Sequence, residues 1–142
     1  MKKDVLIHIK SLIDTGDDEE KIEISTRGKC FEKDGVTYLS YKETDQNGYD
    51  GNSVLIKAED GSVTVSRLGS ARSQLIITAG KRNVCSYSTP HGAQTLGISG
   101  NSVSLRALTE TKRELSFCYE LDINHALMSK NRLVITYEES AK

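Results

Sequence analysis

Positive charge is concentrated in the middle third of this 142-residue chain. The 49 residues from 61 to 109 contain no Asp or Glu, although the chain as a whole has 20 of these against 19 Lys and Arg. The stretch carries five basic residues: Arg67, Arg72, Lys81, Arg82 and Arg106. Clustered cations attract anions, so this region is predicted to bind an anionic partner.

Arg67 is the strongest single candidate for such chemistry. It continues the alternation of Val63 and Val65, so it is expected on the buried face of its strand. An inward guanidinium can clamp a carboxylate or phosphate through two parallel hydrogen bonds. The alternative is a rim arginine that extends to solvent or to an internal carboxylate.

Residues 87–92 (YSTPHG) form the second candidate. Pro90 cannot donate to a β-ladder and Gly92 permits a tight turn, which predicts a strand end here. Thr89 and His91 would then lie at the mouth of a pocket. The alternative, which the turn residues favour, is a structural corner with Tyr87 packed inside.

Metal and nucleophile chemistry find little support. The three histidines (His8, His91 and His125) fall on separate elements without metal-ligand spacing, and His8 is expected on an outer strand face. The three cysteines (Cys30, Cys85 and Cys118) form no CxxC pair, and a Cys–His nucleophile lacks the sequence context that it needs. Motifs for serine hydrolases, P-loops and dinucleotide binding are absent. The sequence predicts no metal and no cofactor, and an enzyme with a site at the barrel mouth near Thr89 and His91 is the least favoured of the functions that it leaves open.

The elements that position these residues follow a period of two. Apolar residues alternate with polar ones at residues 5–10, 22–27, 63–66, 115–123 and 133–138. Successive side chains of a strand point to opposite faces, so each run predicts a strand with one buried and one exposed face.

Turn chemistry separates the strands. Asp34-Gly35 and Asp60-Gly61 are typical of tight hairpins, and Gly100 predicts a bulge inside a long strand. We predict ten strands, at 4–13, 20–31, 36–44, 53–59, 62–69, 73–79, 83–89, 93–108, 113–123 and 131–138. Residues 124–131 are predicted to link the last two strands, with room for one helical turn.

An amphipathic meander of eight to ten strands avoids exposed edges best by closing into a barrel. The sequence therefore predicts an all-β, antiparallel, single-domain barrel over residues 1–142. Its interior is expected to hold a small amphipathic or anionic molecule, with Arg67 at the charged head. The predicted wall consists of Tyr38, Val65, Tyr87, Thr89, Leu105, Phe117, Tyr119 and Ile135. The alternative is an interaction module that docks an acidic protein or RNA through the five basic residues; the net charge of −1 argues against a general polyanion binder.

The order of these pieces resembles the YwiB-like family of small uncharacterised bacterial proteins. The resemblance rests on residues 5–11 (VLIHIKS), 36–41 (VTYLSY), 67–69 (RLG), 87–92 (YSTPHG), 115–119 (LSFCY) and 133–138 (LVITYE). It implies a calycin-like (lipocalin-like) β-barrel and no particular reaction. Barrels of that type often bind small apolar or amphipathic molecules inside, which is an analogy at the level of the fold.

The cellular location is expected to be cytoplasmic. Asp4, His8 and Lys10 interrupt the first apolar run, so it fits neither a signal peptide nor a membrane-spanning helix. An odd number of scattered cysteines is typical of a reducing compartment.

Overall fold

Ten antiparallel strands make up the fold. A computed structural model describes residues 2–44, 50–68, 72–89 and 92–140. The strands are β1 Lys3–Asp14, β2 Glu19–Lys33, β3 Val36–Thr44, β4 Asp50–Glu59, β5 Ser62–Leu68, β6 Arg72–Thr78, β7 Arg82–Thr89, β8 Gly92–Ala107, β9 Lys112–Ile123 and β10 Ala126–Glu139. Within the described ranges no helix occurs, and so none that could cross a membrane.

The sheet closes on itself. Each strand pairs with its neighbours in sequence, and β1 pairs with β10 from Val5 opposite Glu139 to Asp14 opposite Lys130. The prediction of an all-β antiparallel barrel is therefore confirmed. Closure satisfies the backbone groups that would otherwise form exposed sheet edges. We call the end where β1 begins the Lys3 end, and the opposite end the Asp14 end.

Side chains fill the middle of the barrel. Nine large apolar residues are less than 2% exposed: Phe117, Ile7, Leu39, Ile77, Ile98, Leu115, Ile135, Val54 and Val63. They come from eight of the ten strands, and their alternation with more exposed residues matches the pattern in the sequence. The burial of this apolar surface is the main contribution to the stability of the fold.

One predicted buried face is wrong. Ile22 and Ile24 alternate with polar residues in β2, yet they are 41% and 43% exposed. The reason is pairing: β2 meets β3 only from Gly28 onward, whereas residues 19–27 pair with β1 alone. This half of β2 lacks a second neighbour that would cover its apolar side chains.

The predicted link between the last two strands is also wrong. Asn124 and His125 form a two-residue turn, with φ values of 53° and 69°, and β10 begins directly at Ala126. Positive φ at both central residues is what a tight hairpin with the correct twist requires. The Asp122 carboxylate accepts a hydrogen bond from the His125 amide at 3.1 Å, which holds the turn. Residues 124–131 therefore extend a hairpin instead of forming a loop.

The predicted bulge at Gly100 is confirmed. The register of β8 against β9 shifts between Gly100 and Ser102. A Cβ atom at Gly100 would lie 2.2 Å from the carbonyl oxygen of Thr78, so only glycine fits. Gly100 also accepts a hydrogen bond from Gly80 and donates one to the Lys81 carbonyl, which joins β8 to the turn between β6 and β7.

Candidate functional site

A pocket of about 210 Å³ opens at the Lys3 end of the barrel. We call it the end pocket. Its lining includes the buried residues Val5, Cys30 and Tyr137 and the charged residues Lys3, Glu32, Glu110, Arg113 and Glu139. Val5 lies opposite Glu139, Cys30 opposite Lys3, and Tyr137 opposite Arg113. Directly paired residues project from the same face of a sheet. The charged partners Glu139, Lys3 and Arg113 therefore belong to the inner face, as do the buried residues opposite them.

The Tyr137 hydroxyl is the distinctive group of this pocket. Tyr137 is only 4% exposed, and within the described part of the chain its hydroxyl has no hydrogen bond of good geometry, although the Arg113 guanidinium lies close enough to act on it as a donor. Burial raises the pKa of Tyr137 to about 12, and the Arg113 guanidinium opposes this only weakly. The phenol is therefore neutral at physiological pH and can both donate and accept one hydrogen bond.

Two ion pairs frame the opening. Arg113 Nη1 lies 2.8 Å from Glu32 Oε1, and Lys3 Nζ lies 2.7 Å from Glu139 Oε1. All four side chains are at least 44% exposed, so these pairs orient the rim more than they stabilise the fold. Both cations that line the pocket are thus already paired with carboxylates, and Lys2 Nζ lies nearby, 5.9 Å from the ring centroid of the lining residue Phe31.

Cys30 contributes a neutral thiol to the floor. Burial raises the pKa of Cys30, and the nearby Glu32 carboxylate raises it further. A thiol with a raised pKa is protonated at neutral pH and is a poor nucleophile. Cys30 therefore acts here as a small apolar surface.

The predicted clamp, Arg67, lies on the inner face near the other end. It shares a row with Val54, which is 1% exposed, and with Tyr41 of β3. Burial raises the pKa of Tyr119, and the positive charge of Arg67 acts on that phenol in the opposite direction. Arg67 and Tyr119 are thus brought together from β5 and β9.

The other predicted wall residues divide into groups. Phe117 and Ile135 are 1% exposed and belong to the filled core, against which Val65 and Tyr119 pack partly buried. Tyr87 and Thr89 lie on β7, but their side chains fall outside the described part of the structure, as do residues Pro90 and His91 entirely.

Two predicted wall positions are wrong. Tyr38 faces outward, because Thr37 and Leu39 on either side of it are buried, and its ring stacks on Phe31 at a centroid distance of 4.5 Å. The inward tyrosine of β3 is Tyr41. Leu105 is 39% exposed, because β8 beyond Gly100 pairs with β9 only.

The five basic residues do not form one outer patch. Arg82 donates two hydrogen bonds to Asp122, at 3.0 and 2.7 Å, and Arg106 pairs with Glu114 at 2.9 Å. Arg67 lies on the inner face, Lys81 is exposed in a turn, and the side chain of Arg72 is outside the description. Most of the predicted positive surface is therefore either neutralised or turned inward.

The Arg82–Asp122 pair requires a glycine at position 97. It lies over Gly97, where a Cβ atom would come within 2.3 Å of Arg82 Nη2 and 2.5 Å of both Asp122 carboxylate oxygens. Hydrogen bonds from Arg82 lower the pKa of Asp122 to about 2. Arg82 was predicted to dock an acidic protein or RNA, but it joins β7 to β9 across Gly97 of β8.

A second groove, of about 380 Å³, lies on the outer wall across β2, β1, β10 and β9. His8 lies there, as predicted, with Nδ1 2.8 Å from Ser25 Oγ and Nε2 2.8 Å from Glu23 Oε1. These side chains are cross-strand neighbours on an exposed sheet face, where such contacts are common. Among the residues that the structure describes, no cluster of three His, Cys, Asp or Glu side chains could hold a metal ion.

The position of Arg113 in the alternation of β9 is a sequence signal for the end pocket. Arg113 keeps the phase of Leu115 and Phe117, which are both 1% exposed, so its side chain had to start from the inner face. The predicted alternation over residues 133–138 of β10 was correct, and it places Tyr137 on the buried face. Alternation within single strands does not show that the first residues of β1 and β9 and the last residues of β2 and β10 lie together at the Lys3 end of the barrel.

Comparison with known proteins gives consistent matches. A family model described as "Domain of unknown function (DUF1934)" matches residues 7–135. The "Uncharacterized beta-barrel protein YwiB" of Bacillus subtilis (strain 168) is 28% identical over 134 residues, which cover 94% of this chain and 92% of the relative. The solved crystal structure of the ywiB protein from Bacillus subtilis superimposes with a TM-score of 0.85 at 26% identity, over 99% of this chain and 94% of that one.

Proposed function

This chain belongs to the DUF1934 family, as its resemblance to YwiB-like proteins predicted, and we propose that it is a non-enzymatic binding protein for a small amphipathic molecule held in the end of its barrel. One observation carries the proposal. The end pocket has a buried tyrosine hydroxyl without a hydrogen bond of good geometry from the described residues, at the bottom of a partly apolar opening. Buried polar groups in proteins are normally satisfied, and an exception calls for a partner such as a water, an ion or a bound molecule.

The composition of the pocket suits an amphipathic ligand. Val5 and Cys30 offer apolar surface at the floor, Tyr137 offers one hydrogen bond, and charged side chains surround the opening. Ligand pockets typically combine an apolar lining with a few convergent polar groups. Since the middle of the barrel is filled by nine buried side chains, the ligand would lie at the Lys3 end and not at the centre.

A second version of the same function places an anion at Arg67. The support for it is the inward position of that arginine and the proximity of its charge to Tyr119. The docking alternative, in which the middle third binds an acidic protein or RNA, has less support, because Arg82 and Arg106 already pair with carboxylates of the chain.

Native mass spectrometry of the protein purified from its natural host tests the proposal. We expect a stoichiometric small molecule bound to the wild type and lost from a Tyr137→Phe variant. The matched control is Tyr38→Phe, which removes the same hydroxyl from the outer face and should retain the ligand.

The outcomes separate the candidates. Loss of the ligand in Arg67→Ala but not in Tyr137→Phe would move the site to the Asp14 end and overturn the end-pocket assignment. If the wild type carries no small molecule and pulls down nucleic acid or an acidic protein in a salt-dependent manner, the docking function replaces the proposal.

A further inference from the structure

The first half of β2 has a neighbouring strand on one side only. Residues 19–27 pair with β1, whereas pairing with β3 is limited to Gly28–Lys33 opposite Val36–Tyr41. Beyond Tyr41, β3 pairs with β4 alone, and no other described strand is paired with residues 19–27. We call this stretch the β2 edge. In the described structure, its backbone N–H and C=O groups that point away from β1 have no partner strand, which is the usual template for adding one.

Two apolar side chains of the β2 edge are exposed for the same reason. Ile22 and Ile24 lie opposite Ser11 and Ile9 of β1, so they project from the inner face of the sheet. They are nevertheless 41% and 43% exposed. A strand added beside β2 would cover both side chains, and peptide segments bind to sheet edges in this way.

The charges of the β2 edge indicate which strand would fit. Lys21 and Glu23 stand on either side of Ile22 and project from the outer face. Lys21 makes no ion pair with a described residue, and Glu23 pairs with His8 of its own chain at 2.8 Å. A cation and an anion placed symmetrically about one residue complement the same sequence running in the opposite direction.

One register brings these charges together. When two β2 edges pair antiparallel with Ile22 opposite Ile22, Lys21 of each copy lies opposite Glu23 of the other, and residues 19–25 of both copies are paired. A shift of two residues in either direction places Lys21 opposite Lys21 or Glu23 opposite Glu23, and like charges directly opposite each other are destabilising. A shift of one residue sets the inner face of one strand against the outer face of the other.

We infer that the β2 edge is an interface between two copies of this chain, in which the two β2 strands pair antiparallel about Ile22. Ile24 of each copy then lies diagonally across from Ile22 of the other, within reach of apolar contact. Because residues 19–25 form a small interface, the association is weak and reversible. The interface does not include the end pocket, so this inference does not depend on the proposed function.

Another run with a single neighbour is a poorer match. Residues 102–107 of β8 pair with β9 only. Their one charged residue, Arg106, is held by Glu114 of the same chain at 2.9 Å. Two copies of this run would bring together like charges without an opposite one, so complementarity favours the β2 edge.

Sedimentation velocity at low salt, from about 10 µM to about 1 mM protein, covers the range in which a small interface dissociates. We expect the wild type to pass from monomer to dimer over this range. Lys21→Glu and Glu23→Lys should each weaken dimerisation by about tenfold or more, because both attractive pairs become repulsive. Lys130→Glu is the matched control, since it reverses the same charge at the Asp14 end on a strand with neighbours on both sides.

Charge exchange distinguishes specific pairing from a failure to fold. Mixing equal amounts of Lys21→Glu and Glu23→Lys should restore dimerisation, because each variant carries the charges that complement the other. The double variant with both substitutions should dimerise by itself for the same reason. In amide hydrogen exchange, alternate backbone amides of residues 19–27 should exchange more slowly at high protein concentration than at low concentration.

Each result supports or overturns the interface. A wild type that stays monomeric over the whole range overturns it. Dimerisation that the mixture of the two variants fails to restore means that the copies meet elsewhere, and overturns it too. Amides of residues 19–27 that are equally protected at every concentration would show that the edge is already covered within one chain. Restored dimerisation together with concentration-dependent protection of these amides supports the interface and its register.

Discussion

Replacing Tyr137 by Phe should make this protein more stable. The variant keeps the aromatic ring, which packs in the core cluster, and removes only the hydroxyl. In the folded wild type that hydroxyl is buried without a hydrogen bond of good geometry from the described residues, whereas in the unfolded chain water satisfies it. Burial of this hydroxyl therefore destabilises the folded wild type, and the variant avoids that cost.

The magnitude follows from the state of the hydroxyl. A buried polar group without a partner costs about 1–3 kcal/mol, and the nearby Arg113 charge offsets part of that cost. We expect a gain of about 1 kcal/mol in the free energy of unfolding. For a chain of this length such a gain raises the Tm by about 2–4 °C.

Urea unfolding followed by circular dichroism measures the change, on samples shown by native mass spectrometry to be ligand-free. The midpoint should rise at unchanged m-value, since the surface exposed on unfolding is the same. Tyr119→Phe is the control, because its hydroxyl is not a buried, unpartnered atom, and no gain is expected there. A loss of about 1 kcal/mol in Tyr137→Phe would mean that the hydroxyl is satisfied and would refute the reasoning. A gain in stability together with a loss of ligand is the trade-off typical of binding sites.

Two further predictions concern contacts that hold neighbouring strands of the barrel together. Gly100→Ala should destabilise the protein by about 2–3 kcal/mol, because the new Cβ would lie 2.2 Å from the Thr78 carbonyl oxygen. The control is Gly61→Ala, where the Cβ would meet open space but φ is +75°, and this change should cost only about 1 kcal/mol. Equal losses of stability in thermal melts of the two variants would contradict the steric argument. Asp122→Asn should remove a pH-dependent part of the stability. The folded-state pKa of Asp122 is lowered from 3.8 to about 2, so its contribution is complete above about pH 3.8 and disappears as the pH falls through about 2. The difference in urea midpoint between wild type and Asp122→Asn should therefore be largest above about pH 4 and shrink at lower pH. A difference independent of pH would show that the stabilisation by the Arg82–Asp122 pair does not depend on the negative charge of Asp122.

Much of the fold was predictable because it depends on local periodicity. The inward faces of β1, β9 and β10 follow from alternation alone, since the pleat of a strand fixes the direction of successive side chains. The turns at Asp34-Gly35 and Asp60-Gly61 and the bulge at Gly100 follow from residues with special backbone freedom. These features need no information about distant parts of the chain.

The errors arise where local pattern is ambiguous or neighbours are missing. In β3 both faces carry apolar or aromatic residues, so the phase of Tyr38 could not be decided from residues 36–41. In β2 the alternation is clear, but Ile22 and Ile24 stay exposed, because no third strand covers them. Burial depends on which strands are adjacent, and alternation does not specify this.

Ten amphipathic strands, most of their turns and most of the core follow from the order of residues alone. Which charged residues meet depends on how the strands are arranged in space. Glu32 and Arg113 are 81 residues apart in the chain, and Arg82 and Asp122 are 40 apart, yet each pair is in contact. Closure of β1 onto β10 places the ends of distant strands around one opening, where Tyr137 is buried beneath the rim. Charge pairing and pocket shape depend on distances in space, and in a barrel these are set by strand order and register, which local periodicity leaves open.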